Sequence, residues 1–458
     1  MSNENLPSYL AAAKPNPTSN RAAWFKNTAP AYAGVMLWFV FWQDIPKEAA
    51  LSYGLALPVL AVMVAALLSF GLFYWVPGML GMKTGLPLYV VGSSLFGTRG
   101  GIAMPGLFMG LLQFGWVAVN VYFSSKLISQ TIPIDPRIIM VIWGALATLV
   151  GLKGIKYVAP ISSFLPIIPV VILVWLIIKT FAGVGDFVPE MISAAPVENA
   201  VAAALDTASS APSQFAVFGA IVAYIIGFFA TAGAAGVDFG SNARNSRDVF
   251  CGGFVGVALT MIGTGIAALL IVAGAYGTPA IASTLATLGA PTVVTDTMTA
   301  ILGQGAGKTA MFLLALAAFP SACFSALIAA NSFKAMLPNV NSNVSVAIGG
   351  AVAILIAVTG LAANAGTVFN FIGASFGPIC GAMFVEYFMN GQKWSGPREG
   401  FNAAGWISWA LGFIVGTTNF FVPGVIPISP LAAFVVGAVV YFVCVKAGLQ
   451  SKPAEFER

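Results

Sequence analysis

The third apolar stretch of the chain carries an aromatic ring and two amides at helical spacing. Gln113 lies three residues before Trp116, so both side chains share one helix face, and Asn120 lies one further turn along. A flat heteroaromatic ligand needs an aromatic face for stacking and a few amide or hydroxyl groups that match its donors and acceptors. The Gln113 amide can donate and accept, which suits a lactam or amidine edge. The alternative interpretation is that Trp116 packs or faces lipid while both amides bond to other helices.

Three carboxylates lie at the ends of apolar stretches. Asp44 ends the first stretch with Lys47 nearby, Asp238 follows the sixth stretch close to Arg244, and Glu386 lies near the end of the tenth. We expect these three residues to form gates or interfacial ion pairs. Because a carboxylate within a membrane is a functional candidate by default, they are also the candidates for carrying a proton.

The residues that the chain lacks exclude most other chemistry. It has no histidine, so neither a histidine proton relay nor a histidine-ligated metal is expected. It also has no Walker-type phosphate loop and no paired carboxylates, which argues against direct use of ATP and against an enzyme. The cysteines lie in apolar runs without metal-type spacing, as is typical of small buried residues. They are Cys251, Cys323, Cys380 and Cys444.

Only 8% of the 458 residues are charged, whereas 59% are hydrophobic. Soluble domains carry about 25% charged residues, so lipid must cover most of this chain. The composition excludes a cytosolic enzyme, a secreted disulfide scaffold and a disordered protein. The net charge of +5 is typical of basic cytoplasmic loops. We therefore expect membrane lipid, but no nucleic acid, among the partners.

Twelve stretches are long and apolar enough to span a bilayer, which needs about 20 residues per helix. They are continuous and about twice as long as a barrel strand, so the prediction is an all-α polytopic membrane protein with twelve transmembrane helices. The stretches cover residues 29–45, 52–79, 102–128, 136–154, 160–182, 215–237, 250–277, 308–335, 343–363, 366–390, 402–421 and 429–448.

The positive charges fix the expected orientation. With twelve spans, one side of the membrane holds 15 of the 20 Lys and Arg residues. Positive residues stay in the cytoplasm, so we expect a plasma-membrane protein with both termini inside. The polar residues 1–27 read as a disordered cytoplasmic tail and 451–458 as a second tail. We expect 183–214 to form an external loop and 278–305 to form short helices at the external mouth.

Spans 1 and 6 contain matching helix-breaking residues. Span 1 carries Pro30 and Gly34, and span 6, five helices later, carries Gly233 and Gly236. Paired interrupted helices at corresponding positions indicate a transporter built from inverted repeats. The alternative is tight helix packing at small residues.

Five segments, in order along the chain, resemble the nucleobase–cation symport-1 family, which contains cytosine, allantoin and hydantoin permeases. Residues 81–100 read GMKTGLPLYVVGSSLFGTRG, span 3 contains LLQFGWVAVN, and span 6 contains FFATAGAAGVDF. Residues 373–388 read GASFGPICGAMFVEYF, where Glu386 replaces the family's Asp. The last two spans contain FNAAGWISWALGFIVG and then PGVIPIS.

The resemblance implies the leucine-transporter-type fold, with two inverted five-helix repeats and two extra helices. Spans 1–5 would form the first repeat within 28–182, spans 6–10 the second within 215–390, and 391–450 would hold spans 11 and 12. It implies a secondary active importer, a cation symporter, which moves a nucleobase or related nitrogen heterocycle across the cytoplasmic membrane by alternating access. The implied partners are that substrate, with sodium or a proton as the coupling cation.

The resemblance also implies site residues. Trp116 and Phe229 match the family's stacking pair, and Thr231 matches a polar ligand position. Because the family uses the break in span 1 for ligand and ion contacts, Trp38 is a candidate ligand contact and Gly34 a candidate source of a cation-binding carbonyl. Together with Gln113 and Asn120, these residues are the expected site.

Span 8 departs from the family pattern. The family often carries paired hydroxyls followed by Asn or Asp there, whereas this chain reads AAFPSACFSAL. Ser321 keeps one hydroxyl, Pro320 replaces the other, and Ser325 follows one turn later. A bound sodium ion would depend on Ser321 and Ser325, and it is the only cofactor that the resemblance suggests. The lost amide or acid puts cytosine in doubt and favours a less polar ring, or a ring recognised mainly from spans 3 and 6.

Two alternatives stay open. An amino-acid or amine transporter of the same fold would use free backbone N–H groups at the span 1 break to hold a carboxylate. A channel would show a repeated pore loop or a ring of charges, and neither is visible. The sequence does not identify the heterocyclic substrate, the coupling ion or the oligomeric state.

Overall fold

The computed structural model describes residues 6–153, 165, 167–193, 212–289 and 291–456. Within these ranges every regular element is helical, and the only β-pairing is two isolated bridges. This is what hydrocarbon requires, because a helix satisfies its own backbone N–H and C=O groups where water cannot. The predicted all-α architecture is confirmed.

Sixteen helices form the body of the described chain. The first eight are α1 Thr28–Met36, α2 Phe39–Asp44, α3 Ala56–Thr84, α4 Ile102–Ser129, α5 Pro136–Lys153, α6 Ile167–Thr180, α7 Gln214–Ala234 and α8 Gly236–Gly240. The rest are α9 Ser246–Gly277, α10 Pro279–Thr287, α11 Val294–Leu302, α12 Gln304–Met336, α13 Ser342–Val358, α14 Ala365–Met389, α15 Ala403–Phe421 and α16 Ser429–Lys446.

Nine helices in the described ranges are long and apolar enough to cross a membrane. The broken pair α1–α2, the shorter α13 and the helix α15 fall on the remaining expected spans, so the helices are consistent with twelve. Residues 278–305 contain two short helices, α10 and α11, as expected. Most of the expected external loop 183–214 lies outside the described residues.

Span 1 breaks at Leu37 and Trp38. Helix α1 ends at Met36 and α2 begins at Phe39, with Trp38 in an extended conformation. The break was expected at Pro30 and Gly34, and that position is wrong. Pro30 lies in the first turn of α1, where a missing N–H removes no helical hydrogen bond. In span 6, α7 and α8 are separated by a single residue between the two expected glycines.

Glycines allow the closest contacts between the last spans. A Cβ at Gly381 of α14 would collide with the Phe434 carbonyl oxygen of α16, and one at Gly437 of α16 would collide with Pro378 of α14. Only glycine permits this backbone approach, which packs α14 against α16 along their length. The high glycine content therefore reflects close helix packing as well as helix breaks.

Residues 6–27 are packed where a disordered tail was expected. Arg21 Nη1 donates to the Met82 carbonyl at 2.7 Å, one of the carbonyls that the last turn of α3 leaves without a helical partner. The Tyr9 hydroxyl donates to the Thr98 carbonyl at 2.8 Å, and burial raises the pKa of this phenol. The segment has the polar composition of a disordered tail, but these side chains bind backbone carbonyls that lie far away in the sequence.

Candidate functional site

A cavity of about 280 Å³ lies beside the break in span 1. Its walls come from α1, the break, α4, α7, α8 and α12, with a single residue each from α2 and α6. No Asp, Glu, Lys or Arg lines the cavity in the described part of the chain. Eight of the residues expected in the site lie on its wall: Gly34, Trp38, Gln113, Trp116, Asn120, Thr231, Ser321 and Ser325.

Phe229 is not on the cavity wall. It is fully buried against Tyr32, with ring centroids 5.7 Å apart, and the preceding residue, Phe228, lines the cavity instead. One residue rotates the helix face by about 100°, so a one-residue difference in alignment selects a different wall. Phe228 lies three residues before Thr231, and this same-face spacing is the sequence signal that would have found it.

Four rings form an aromatic cluster: Trp38, Trp116 and Phe228, which line the cavity, and Phe369, which is fully buried and not on its wall. Every pair among them is in contact, with ring centroids 4.6 to 6.4 Å apart in tilted or edge-on arrangements. Such arrangements are the preferred geometries for aromatic side chains. The cluster joins the span 1 break to α4, α7 and α14. Phe369 was missed, because no sequence spacing relates α14 to the other three elements.

Thr231 holds Trp116 in place. The Trp116 indole Nε1 donates to the Thr231 hydroxyl oxygen at 3.2 Å, across the interface between α4 and α7. The bond fixes the plane of the indole, whose ring contacts Phe228 at 4.6 Å. Thr231 was expected to bind ligand directly, whereas its oxygen here accepts from the stacking residue.

Two polar groups on the cavity wall have unused hydrogen-bonding capacity. The Gln113 amide nitrogen contacts only the sulfur of Met109, at 3.4 Å on its own helix, among the described residues. Sulfur is a weak acceptor, and the amide oxygen has no partner within the same residues. The buried Trp38 indole N–H likewise has none. Unpaired buried groups cost about 1–3 kcal/mol each, which a complementary ligand would recover.

Asn120 connects α4 to α12. Its amide nitrogen donates to the Ala318 carbonyl and to the Ser321 hydroxyl oxygen, both at 2.9 Å. Ser321 in turn donates to the Ala318 carbonyl at 2.7 Å. The alternative interpretation of Asn120, an interhelical hydrogen bond, is the one observed. Ser325 lies one turn further along α12 on the same cavity wall.

The three carboxylates lie away from the cavity wall. Asp44 forms an ion pair with Lys47 at 2.5 Å and accepts from the Tyr224 hydroxyl at 2.9 Å, so its expected ion pair is present. Its side chain is only 5% exposed. Asp238 forms no ion pair within the described ranges, because Arg244 binds Asp248 at 2.7 Å instead. The Asp238 carboxylate accepts from the backbone N–H of Leu88 at 3.0 Å.

Glu386 is buried and hydrogen-bonded by hydroxyls rather than paired with a cation. Ser94 and Ser395 donate to its two oxygens at 2.6 and 2.7 Å, and Tyr441 donates at 3.3 Å. No Lys or Arg of the described residues lies within ion-pair distance of it, so of the expected gate or ion pair, the ion pair is absent. The described residues also contain no group of three or more His, Cys, Asp or Glu residues that could hold a metal ion.

A helix break facing an uncharged cavity, with a second break in span 6, is typical of membrane transporters. Residues 15–443 match the family model described as a permease for cytosine/purines, uracil, thiamine and allantoin, and the chain belongs to that family. Cytosine permeases of Escherichia coli O157:H7 and strain K12 are each 24% identical over 394 residues, which cover 84% of this chain and 82% of theirs.

Solved structures share the fold at low identity. A nucleobase–cation-symport-1 family transporter, Mhp1, closed with bromovinylhydantoin bound, has a TM-score of 0.66 at 14% identity and covers 98% of this chain and 97% of its own. A Na+-coupled sialic acid symporter in an outward-open state has a TM-score of 0.61 at 11% identity, covering 95% of this chain and 92% of its own. The leucine-transporter-type fold is thereby confirmed.

Proposed function

We propose that the protein is a secondary active importer of a nucleobase or related nitrogen heterocycle, which works by alternating access and cation symport in the plasma membrane. The observation that carries the proposal is the aromatic cluster beside the Gln113 amide at the span 1 break. The Trp116 ring offers a fixed stacking face, and Gln113 offers a free donor and acceptor for one ring edge. The relatives named for cytosine, and the fold relative that holds a hydantoin, support this ligand class.

The uncharged cavity argues against the amino-acid or amine alternative. A buried ionised ligand group needs a counter-charge or several aimed hydrogen bonds. Side chains from the described residues on the cavity wall carry no formal charge. The fold itself does not discriminate, since the similar symporter named for sialic acid shares it. A neutral planar ligand therefore fits better than a zwitterion.

The wall formed by α12 favours a ring with an apolar substituent. Ala317, Phe324 and Ile328 line it, and its Ser321 hydroxyl is already bonded to Asn120. A polar ring edge directed at this wall would lose its hydrogen bonds to water without replacing them. We infer that the polar edge faces Gln113 and Trp38 while a less polar portion of the ligand faces α12.

We propose the expected boundaries and orientation as well. The repeats would occupy 28–182 and 215–390, with both termini in the cytoplasm. A single cysteine at Ser451 in a cysteine-free background should react with an impermeant maleimide only after cells are opened. Labelling of this cysteine in intact cells would show that the protein has the opposite orientation. It would not affect the proposed ligand class.

A ligand screen tests the function. Purified protein is heated with nucleobases, hydantoins, allantoin or zwitterionic amino acids, because a ligand that binds only the folded state raises the melting temperature. We expect stabilisation by one heterocycle and its loss in Gln113→Ala. Gln304→Ala is the control, since Gln304 is an exposed residue of α12 away from the cavity. Stabilisation by amino acids but by no heterocycle would contradict the proposal.

A further inference from the structure

We infer that the Asn120 amide occupies the cation position of span 8, so that the Ala318 carbonyl and the Ser321 hydroxyl hold no sodium ion. Ser321 is the hydroxyl on which any sodium site in span 8 depends. The inference rests on the proposed function only in treating this position as a coupling site. The contacts that define it are independent of the ligand.

The hydrogen bonds around Ser321 use the oxygens that sodium would need. Asn120 Nδ2 lies 2.9 Å from both the Ala318 oxygen and the Ser321 Oγ. An amide nitrogen has two hydrogens, and here each has an acceptor on α12. Two oxygens one turn apart thus converge on a partial positive charge from the protein itself. Sodium would have to displace this group in order to reach either oxygen.

The hydroxyl hydrogen of Ser321 is also used in a hydrogen bond. It is directed to the Ala318 carbonyl at 2.7 Å, so this carbonyl accepts from two side chains. The amide is held from its own helix as well, because the Ser124 hydroxyl contacts its oxygen at 3.4 Å. Asn120 is only 2% exposed, so water does not readily replace these contacts.

The surroundings provide no charge to stabilise a sodium ion. A monovalent cation taken out of water needs several oxygens or a counter-charge. The described cavity wall contains no carboxylate, and Pro320 stands where the family pattern has a second hydroxyl. Ser325 and the backbone near Gly34 would have to supply the remaining oxygens. The neutral Asn120 amide fills the same position without the cost of removing a cation from water.

Substitution of Asn120 by aspartate should convert this position into a cation-binding site. Asn120→Asp keeps the side-chain shape but replaces the donor with an anionic oxygen that faces two other oxygens. These three oxygens would attract a cation. Asn331→Asp is the matched control, because it adds the same charge at an exposed position of α12, the helix that carries Ser321.

The experiment measures binding of radioactive sodium alone to the purified full-length protein, with melting temperatures compared in sodium chloride and N-methyl-D-glucamine chloride. We expect no saturable sodium binding and equal melting temperatures for the wild type and Asn331→Asp. Asn120→Asp should bind sodium saturably and melt higher in sodium chloride.

Saturable sodium binding to the wild type that Ser321→Ala abolishes would overturn the inference, even if Asn120→Asp fails to fold. Binding that survives Ser321→Ala would place the ion elsewhere and leave the assignment of Asn120 intact. A folded Asn120→Asp protein without sodium binding would also overturn it. Because no heterocycle is used, failure of the ligand screen does not affect this result.

Discussion

The cavity and the Glu386 cluster are both buried polar sites, but they use their polar groups differently. In the cluster, formed by Glu386, Ser94, Ser395 and Tyr441, three hydroxyls converge on one carboxylate. In the cavity, Gln113 and the Trp38 indole keep capacity that the described residues do not use. A fully satisfied network stabilises one arrangement, whereas unsatisfied groups beside a space favour a ligand.

Because of this difference, we expect mutations at the two sites to change different properties, stability at one and ligand affinity at the other. Changes in the Glu386 cluster should lower stability, because the cluster joins the segment after α3, the segment after α14 and α16. Changes on the cavity wall should lower ligand affinity with little effect on folding.

The largest effect is expected at Glu386. Glu386→Ala removes the acceptor of three hydroxyls, and buried polar groups left unpaired cost about 1–3 kcal/mol each. Ser94 and Ser395 can turn to nearby carbonyls, so we expect a total loss of about 3 kcal/mol. Thermal unfolding in detergent measures it. Glu399→Ala, at an exposed carboxylate in the same segment, should unfold like the wild type.

Trp116→Ala should affect binding rather than folding. Loss of a stacking face costs on the order of 1–3 kcal/mol for bases on aromatic side chains, or roughly 5- to 150-fold in affinity. Isothermal calorimetry with the heterocycle found by the ligand screen measures this. Trp143→Ala is the control, since Trp143 packs on Phe319 away from the cavity wall. Equal losses in both variants would contradict the proposed site.

Adjacent phenylalanines sharpen the comparison within one helix. Phe228→Leu should weaken ligand binding several-fold, because Phe228 lines the cavity and contacts Trp116. Phe229→Leu should leave affinity unchanged and lower stability by about 1 kcal/mol, as expected for a conservative change in a packed core. Affinity and melting temperature measured for both variants test the assignment. The reverse pattern would restore Phe229 as the stacking residue.

The smallest effect is expected at Thr231. Thr231→Val removes the acceptor of the Trp116 indole, a hydrogen bond of about 1 kcal/mol, and should weaken binding by less than tenfold. Thr231→Ser keeps the hydroxyl and should bind like the wild type. If valine and serine variants bind equally, the bond does not position Trp116.

The helical class was predictable from apolar length, and the presence of a break in spans 1 and 6 from their Pro and Gly residues. The eight expected residues on the cavity wall came partly from helical spacing on α4 and partly from the family resemblance. Gln113, Trp116 and Asn120 share one helix, so their common face was predictable from periodicity. Phe369 was not, since its contact depends on how α14 packs against α4 and α7.

The position of the first break and the partner of Asp238 were also beyond the sequence. Pro30 signals a break only if it lies inside a helix, and its place in the first turn of α1 depends on where that helix begins. Arg244 had two acidic residues within reach along the chain. Asp248 lies in the first turn of α9, just after the bend that contains Arg244, and this local geometry favours Asp248 over Asp238.

The uncharged cavity wall has an electrical consequence. Moving one elementary charge across a membrane potential is worth about 2.3 kcal/mol per 100 mV. In the proposed alternating-access cycle, the described cavity residues carry no formal charge, so the empty site itself does no electrical work when its exposure changes. Any voltage dependence that arises at this site should then come from the step that carries the cation.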